Sequence, residues 1–565
     1  MTHGLDIKSK ERQTVRIPFI DETDFRPGQE GLLTKDRFFL NGYFEPLKNP
    51  LTQEIEFHFV KRPGIGRSIN LGSPQTGRRL YNWTKTSQIY VVTNTAIYGD
   101  NGQTNLGVTI TNGFGNGNHV GIAETRPGAS PSYLGVATGD ALYLIATDNS
   151  VIVMNNVPIL TSSVANPTII TTNGNHNLNT GNKIIIRNHV GSTPSINDTI
   201  FTITKISNTT FSIPVNVTVG GTGGTIGSIP AFRTNHLVYT DGYWFMNTST
   251  SQIANSAVDD PTTWPVINTI TSLMQTGNGI GLARQSNYLI AFNETHFQLF
   301  IDAANPVGSP LANVEQGMQQ IGCIDGNSIA FNENIIYWVS NTKTGGLNVY
   351  QLAGTTQLKS IGTPSVSRSL EQAFINSNAA FSGFILRYAG HIWYILQISS
   401  TTVNQTWVYD QELNIWYNWS NPTNNNRWPI ADVTQRTIGA STVIGIHESD
   451  GWTYSVDQSF FLDNNVAFPV VVQTNPLTFG TMQRKYYDRA EIVGDRQTST
   501  ANATLQFTDD DYATFSSARI YDMSQIRVFT PNFGNSRRRA WRFIYSGNTP
   551  MRISGLEFVI ELDVS

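Results

Sequence analysis

From about Leu80 onward the chain repeats one arrangement of apolar and polar positions. An apolar run meets a Gly, Asn or Asp turn and is followed by a second run rich in Tyr, Trp and Ile. Runs joined by such turns predict antiparallel β-hairpins. Gln88-Ile89-Tyr90-Val91-Val92 leads into Ala96-Ile97-Tyr98-Gly99-Asp100, and Ala141-Leu142-Tyr143-Leu144-Ile145 leads through Asp148-Asn149 into Val151-Ile152-Val153-Met154. The pattern returns at Leu237-Val238-Tyr239-Thr240-Asp241-Gly242-Tyr243-Trp244-Phe245, at Tyr288-Leu289-Ile290-Ala291-Phe292 and at Ile335-Ile336-Tyr337-Trp338-Val339. It recurs at Phe384-Ile385-Leu386 with Ile392-Trp393-Tyr394-Ile395-Leu396, and again at Val443-Ile444-Gly445-Ile446. With one insertion set aside the spacing is about 45 to 60 residues, the length of four strands and their loops in a propeller blade. A large two-sheet sandwich shares the alternation, whereas a β-solenoid repeats roughly every 20 to 30 residues, which this chain does not. The fold class expected is all-β, a β-propeller of about six or seven blades.

Three segments leave the pattern. Residues 164–228 turn to small polar strands and end in the Gly-rich run Gly220-Gly221-Thr222-Gly223-Gly224-Thr225, which predicts a small inserted β module. The Gly run lacks the Gly-Lys-Ser/Thr and the helix start of a phosphate loop, so it reads as hairpin turns. Residues 466–565 alternate strand, acidic turn and aromatic strand through Leu556-Glu557-Phe558-Val559-Ile560, as a C-terminal β-sandwich would. Residues 1–64 hold Arg16-Ile17-Pro18-Phe19-Ile20 and Asp36-Arg37-Phe38-Phe39-Leu40 without blade periodicity, and read as an arm that packs across the propeller or reaches a neighbouring subunit. The propeller is then split into residues 65–163 and 229–465 around the module.

Composition sharpens this in three ways. The 565 residues exceed what one hydrophobic core usually serves, which a radially repeated fold accommodates. Lys and Arg number 37 against 41 Asp and Glu, so no global field holds nucleic acid by counterion release. A single cysteine, Cys323, leaves stability to burial and assembly, without an internal disulfide or a Cys-based zinc cage. The start Met1-Thr2-His3-Gly4-Leu5-Asp6-Ile7-Lys8 has no apolar leader core, and no apolar stretch of about 20 residues occurs, so synthesis in the cytoplasm without a membrane span is expected.

Catalytic motifs are sparse. There is no Gly-x-Ser-x-Gly elbow, no His-Glu-x-x-His and no Gly-Lys-Ser/Thr. His176 and His189 share the module without ligand spacing and read as turn or surface residues. Thr508-Asp509-Asp510-Asp511-Tyr512-Ala513-Thr514-Phe515 resembles the Asp-box turn of sialidases, but Tyr512 stands where that turn takes a Gly at positive φ, and the box stabilises a hairpin without being catalytic. Trp407, Tyr409, Trp416, Tyr417 and Trp419 offer rings for sugar stacking or for blade packing, the commoner use. Arg537-Arg538-Arg539 with Arg542 is the one dense basic run, a subunit-interface or DNA-facing candidate. On a strand its alternate members would point to opposite faces. No enzyme, cofactor or metal site is expected.

His176-Asn177-Leu178-Asn179-Thr180-Gly181-Asn182-Lys183-Ile184, with Phe201 and Thr210-Phe211-Ser212-Ile213, resembles a small β module embedded in many phage tail proteins. Thr406-Trp407-Val408-Tyr409-Asp410-Gln411-Glu412-Leu413-Asn414-Ile415-Trp416 resembles a blade of the packaged-DNA stabilisation proteins of P22-like short-tailed phages. Asn41-Gly42-Tyr43-Phe44-Glu45-Pro46 running to Val60-Lys61-Arg62-Pro63-Gly64, the acidic turn at Asp509-Asp510-Asp511, and Ser536-Arg537-Arg538-Arg539-Ala540-Trp541-Arg542-Phe543 agree with that family's layout. The resemblance implies a structural virion protein, a nozzle or hub of the tail. Such proteins form a ring, expected here as a homo-hexamer, below the portal and adaptor proteins. The ring retains packaged DNA, passes it at ejection, and meets tail fibres or spikes and a needle or plug. A receptor- or glycan-binding tail propeller is the alternative, and a glycoside hydrolase a third reading. The family implies no catalytic residues.

Overall fold

The computed structural model describes residues 12–19, 37–48, 55–72, 74–110, 120–139, 141–230, 233–248, 250–272, 277–332, 334–342, 346–375, 379–436 and 442–562. The chain start read for a leader, residues 1–8, lies outside them, as do Ile20 and Asp36 of the N-terminal arm.

Nearly all described structure is β, with one α-helix at Pro364–Ile375. Six consecutive antiparallel four-strand units occupy Gly77–Asn105, Gly121–Met154, Arg233–Thr271, Gly279–Gln319, Ala330–Ser360 and Ala380–Trp419. A seventh joins three late strands, Ile430–Arg436, Thr442–His447 and Trp452–Asp457, to an early one, Gly64–Asn70. That early strand runs antiparallel to the last, with Ile65 opposite Val456 and Gly64 opposite Asp457. The ring is thus closed by a strand more than 350 residues away in sequence.

Strand alternation explains the ring. In Tyr288–Asn293, Leu289 and Ala291 join the apolar cluster against the preceding unit, with Phe245 and Ile253. Their neighbours Ile290 and Phe292 join the cluster against the following unit, with Ile336 and Trp338. A strand side chain pattern of period two therefore buries both faces, each burial of a large apolar side chain contributing about 1.5–3 kcal/mol. Apolar clusters of the same kind join the first unit to the second, the second to the third, the fifth to the sixth, the sixth to the seventh and the seventh back to the first. Asp241 (φ 51°) and Gly242 (φ 89°) make the tight turn between the first two strands of the third unit, as the Asp-Gly pair predicts. The architecture is a β-propeller.

The inserted module begins with strand Ile159–Ser162 and ends with Thr225–Ile226. Its central strand, Lys183–Arg187, runs parallel to the outer strand of the second unit, with Ile152 opposite Lys183 and Val153 opposite Ile184. The module therefore extends that unit's sheet, and their apolar residues form one cluster.

Two further sheets use both chain ends. One places Arg552–Leu562 beside Lys485–Gly494 and, on its other side, beside Gln13–Pro18 and Ile55–Lys61. The other runs Val470–Gln473, Ala540–Tyr545, Asn502–Thr508 and Arg519–Asp522. Strand Phe38–Leu40 joins this second sheet to the outer strand of the sixth unit, with Leu40 opposite Asn418. Trp541 and Phe558, with ring centroids 4.5 Å apart, link the two sheets in a core that runs on into the sixth and seventh units.

Candidate functional site

The four arginines of the basic run do not form one surface. Arg537 and Arg538 lie in a bend ahead of strand Ala540–Tyr545, and only Arg542 lies within it, so the alternation expected of a strand does not apply. Arg539 is buried, holds Asp509 through two hydrogen bonds of 2.8 and 2.7 Å, and donates to the Phe533 carbonyl at 2.7 Å. Its guanidinium lies 3.8 Å from the Phe507 ring centroid. Arg542 donates twice to Gln473 Oε1 and stacks 3.5 Å over Phe515. Arg538 pairs with Asp511 at the surface, and Arg537 donates to the Met482 carbonyl at 3.2 Å. The run folds the terminal sheets, leaving Arg537 and Arg538 as its outward cations.

The acidic turn beside it behaves as a clasp. Asp510 accepts from the Thr514 hydroxyl and amide and from the Thr508 hydroxyl, and these bonds hold its carboxyl down to about 2. Tyr512 adopts φ 67° although it is not Gly. Its amide donates to Thr508 Oγ1 at 3.2 Å and its hydroxyl to the Thr474 carbonyl at 2.8 Å, which anchors the uncommon conformation from both ends.

Other sequence candidates resolve into packing. Trp407, Tyr409, Trp416, Tyr417 and Trp419 are all buried, so their rings serve blade cores. His176 and His189, expected in turn or surface roles, lie in the connections between strands but are buried. His176 bonds the Ser207 carbonyl and the Leu178 amide, and His189 bonds Ser162 and the Gly223 carbonyl, so each imidazole staples the module. The Gly run spends its amides on Ser162, Val190 and Leu160, which leaves no phosphate cradle there. Among the described residues no group of three or more His, Cys, Asp or Glu is placed to hold a metal ion. No described helix is long and apolar enough to cross a membrane.

Two arrangements escaped sequence reasoning. The first is the junction between ring closure and terminal sheets. The fully buried Arg62 holds Asp463 through bonds of 3.0 and 2.5 Å, and donates to Asn41 Oδ1 and the carbonyls of Pro63 and Ser420. Lys61 beside it donates to the Gly547 carbonyl at 2.8 Å, and burial, then the charge of Arg62, brings its pKa down to about 7. The second is the propeller axis. Opening strands of the first to fifth units wall a cavity of about 550 Å³ lined by Arg79, Tyr81, Glu124, Arg126, Tyr239 and Arg284 among others. Arg79 leans on the buried Asp432 at 3.6 Å, and burial raises both Glu124 and Asp432 above the usual carboxylate range. The available signal was positional, a charged or aromatic residue on the opening strand of each repeat.

Residues 192–445 match a protein-family model described as bacteriophage P22 Gp10, beta-propeller. No curated protein matches the chain. Among solved structures, the computationally designed Ika8 protein, in a crystal packing in P63, is similar at 9% identity with a TM-score of 0.32, over 69% of this chain and 99% of that one. From the inserted module into the seventh unit, the chain resembles the P22-like packaged-DNA stabilisation proteins, a family of phage structural proteins.

Proposed function

We propose that this chain is a non-enzymatic tail protein, a nozzle or hub subunit with a seven-bladed propeller, that assembles into a homo-hexameric ring below the portal and adaptor. The ring retains packaged DNA and conducts it at ejection, with fibres or spikes and a needle or plug as further partners. The observation that carries this reading is the family match, which spans the third to sixth units in full.

Physical features agree with it. A conduit under pressure must release DNA, and this chain has a formal net charge of −4 with several arginines committed internally. Propeller units packed on both faces give rigidity without a disulfide, and Cys323 is a free buried thiol. A closed cyclic assembly takes head-to-tail contacts. Exposed apolar residues on the terminal sheets, Phe529, Ile520 and Tyr486, stand ready for such contacts.

The test is reconstitution. Purified chain mixed with the portal and adaptor proteins of its own phage should enter a ring visible by electron microscopy at the tail end of the complex. A chain that stays monomeric and fails to join would overturn the proposal.

A further inference from the structure

The axial cavity has a chemistry that a scaffold does not require. It meets a second axial cavity of about 290 Å³ at Phe331, which lines both. Arg79, Arg126, Arg284 and Arg387 line the combined space, against one lining carboxylate, Glu124. Arg79 has Asp432 beneath it and Arg126 has Asp259 beside it. Arg284 instead donates from Nε and Nη1 to the carbonyls of Ser286 and Tyr239, at 3.0 Å each, which orients the guanidinium, keeps its charge uncancelled and leaves it further N–H donors. Glu124 receives the Thr84 hydroxyl on its two oxygens at 3.3 and 3.2 Å, which fixes an acceptor in the wall. Phe331 is 57% exposed, although it is a large apolar residue on an opening strand, and Tyr81 and Tyr239 add further rings.

We propose that this axial cavity is a binding site for an acidic saccharide. The sugar carboxylate sits against Arg284, where a charge-assisted hydrogen bond forms. Sugar hydroxyls donate to Glu124, and an apolar sugar face packs on Phe331. The volume lies in the range of small-molecule sites, which are concave and carry a few placed polar groups among apolar ones. A nucleic-acid duplex is far wider than the cavity. A bare inorganic anion would leave the exposed ring unused. Residues of this one chain wall the cavity, so its binding can be measured on the unassembled protein.

Isothermal titration of the full chain with digalacturonic acid and with N-acetylneuraminic acid tests the proposal, with maltose and inorganic phosphate as comparison arms. One site per chain is expected for at least one of the acidic sugars, with maltose binding weaker and phosphate failing to displace the sugar. Arg284→Gln should weaken binding by roughly tenfold or more, and Arg527→Gln on the terminal sheets should leave it unchanged. If Arg284→Gln does not fold, Phe331→Ser, a change at an exposed position, should weaken binding while retaining the wild-type unfolding profile. Absence of saturable binding, equal binding of maltose, full displacement by phosphate, or wild-type affinity in both variants would overturn it. A chain that fails to form rings yet binds the sugar separates this site from the nozzle reading.

Discussion

Asp463→Ala tests the logic of the closure junction. Arg62 and Asp463 have side-chain exposures of 0% and 3%, so removal of the carboxylate leaves a guanidinium buried without its counter-charge. Breaking a buried pair from one side costs about 3–5 kcal/mol. Three partners of Arg62 survive, Asn41 and the carbonyls of Pro63 and Ser420, and Phe468 stays 3.9 Å from the guanidinium. These place the cost near the lower end, about 3 kcal/mol. The exposed pair Arg538–Asp511, at 44% and 67%, is the comparison, and Asp511→Ala there should cost about 0–1 kcal/mol. Asp463 also bridges Ile65 of the closing strand, and the Asn464 amide donates to the Ile65 carbonyl at 2.7 Å. The loss should therefore appear first as faster amide hydrogen exchange across residues 64–70, together with a lower urea midpoint. Local exchange is the decisive readout because a chain of this size need not unfold in one step. Equal effects of the two substitutions, or unchanged exchange in the closing strand, would refute the reasoning.

Gly135→Ala should destabilise the contact between the second and third units by about 1–3 kcal/mol, because the added methyl would lie 1.9 Å from the Trp244 ring; thermal unfolding with Trp fluorescence reads it. Cys323 is fully buried and its thiol is pushed well above its ordinary range by burial, so a thiol reagent should leave the native chain unlabelled and label one site after urea unfolding. Lys61 is held at about 7 in the fold against an ordinary 10.5, so between these values the unfolded chain binds more protons. Its contribution makes stability rise with pH across that window, and Lys61→Met should flatten the rise in urea midpoints measured from pH 7 to 10.5 relative to the unmodified chain. Asp510→Asn weakens the clasp at Thr508 and Thr514, and should raise exchange at Tyr512 and Thr514 while the propeller stays protected.

The repeating units were legible in the sequence because strand burial has period two and tight turns demand particular residues. Leu289 through Phe292 and the Asp241-Gly242 turn carry their structure locally, and so does the shift to small polar strands at the inserted module. The absence of the common catalytic motifs was equally legible. What residues 537–542 do was not. Four arginines close in sequence look like one patch, but a bend before Ala540 and the positions of Asp509, Gln473 and Phe515 direct them to separate partners. The closure of the ring by Gly64–Asn70, the Arg62–Asp463 pair and the axial cavity join residues from distant units. Periodicity along a chain reports which face of a strand is apolar; it carries no term for which remote strand that face or edge will meet. Only the three-dimensional closure of the propeller decides that, and with it which charges are spent inside the fold and which remain for a ligand.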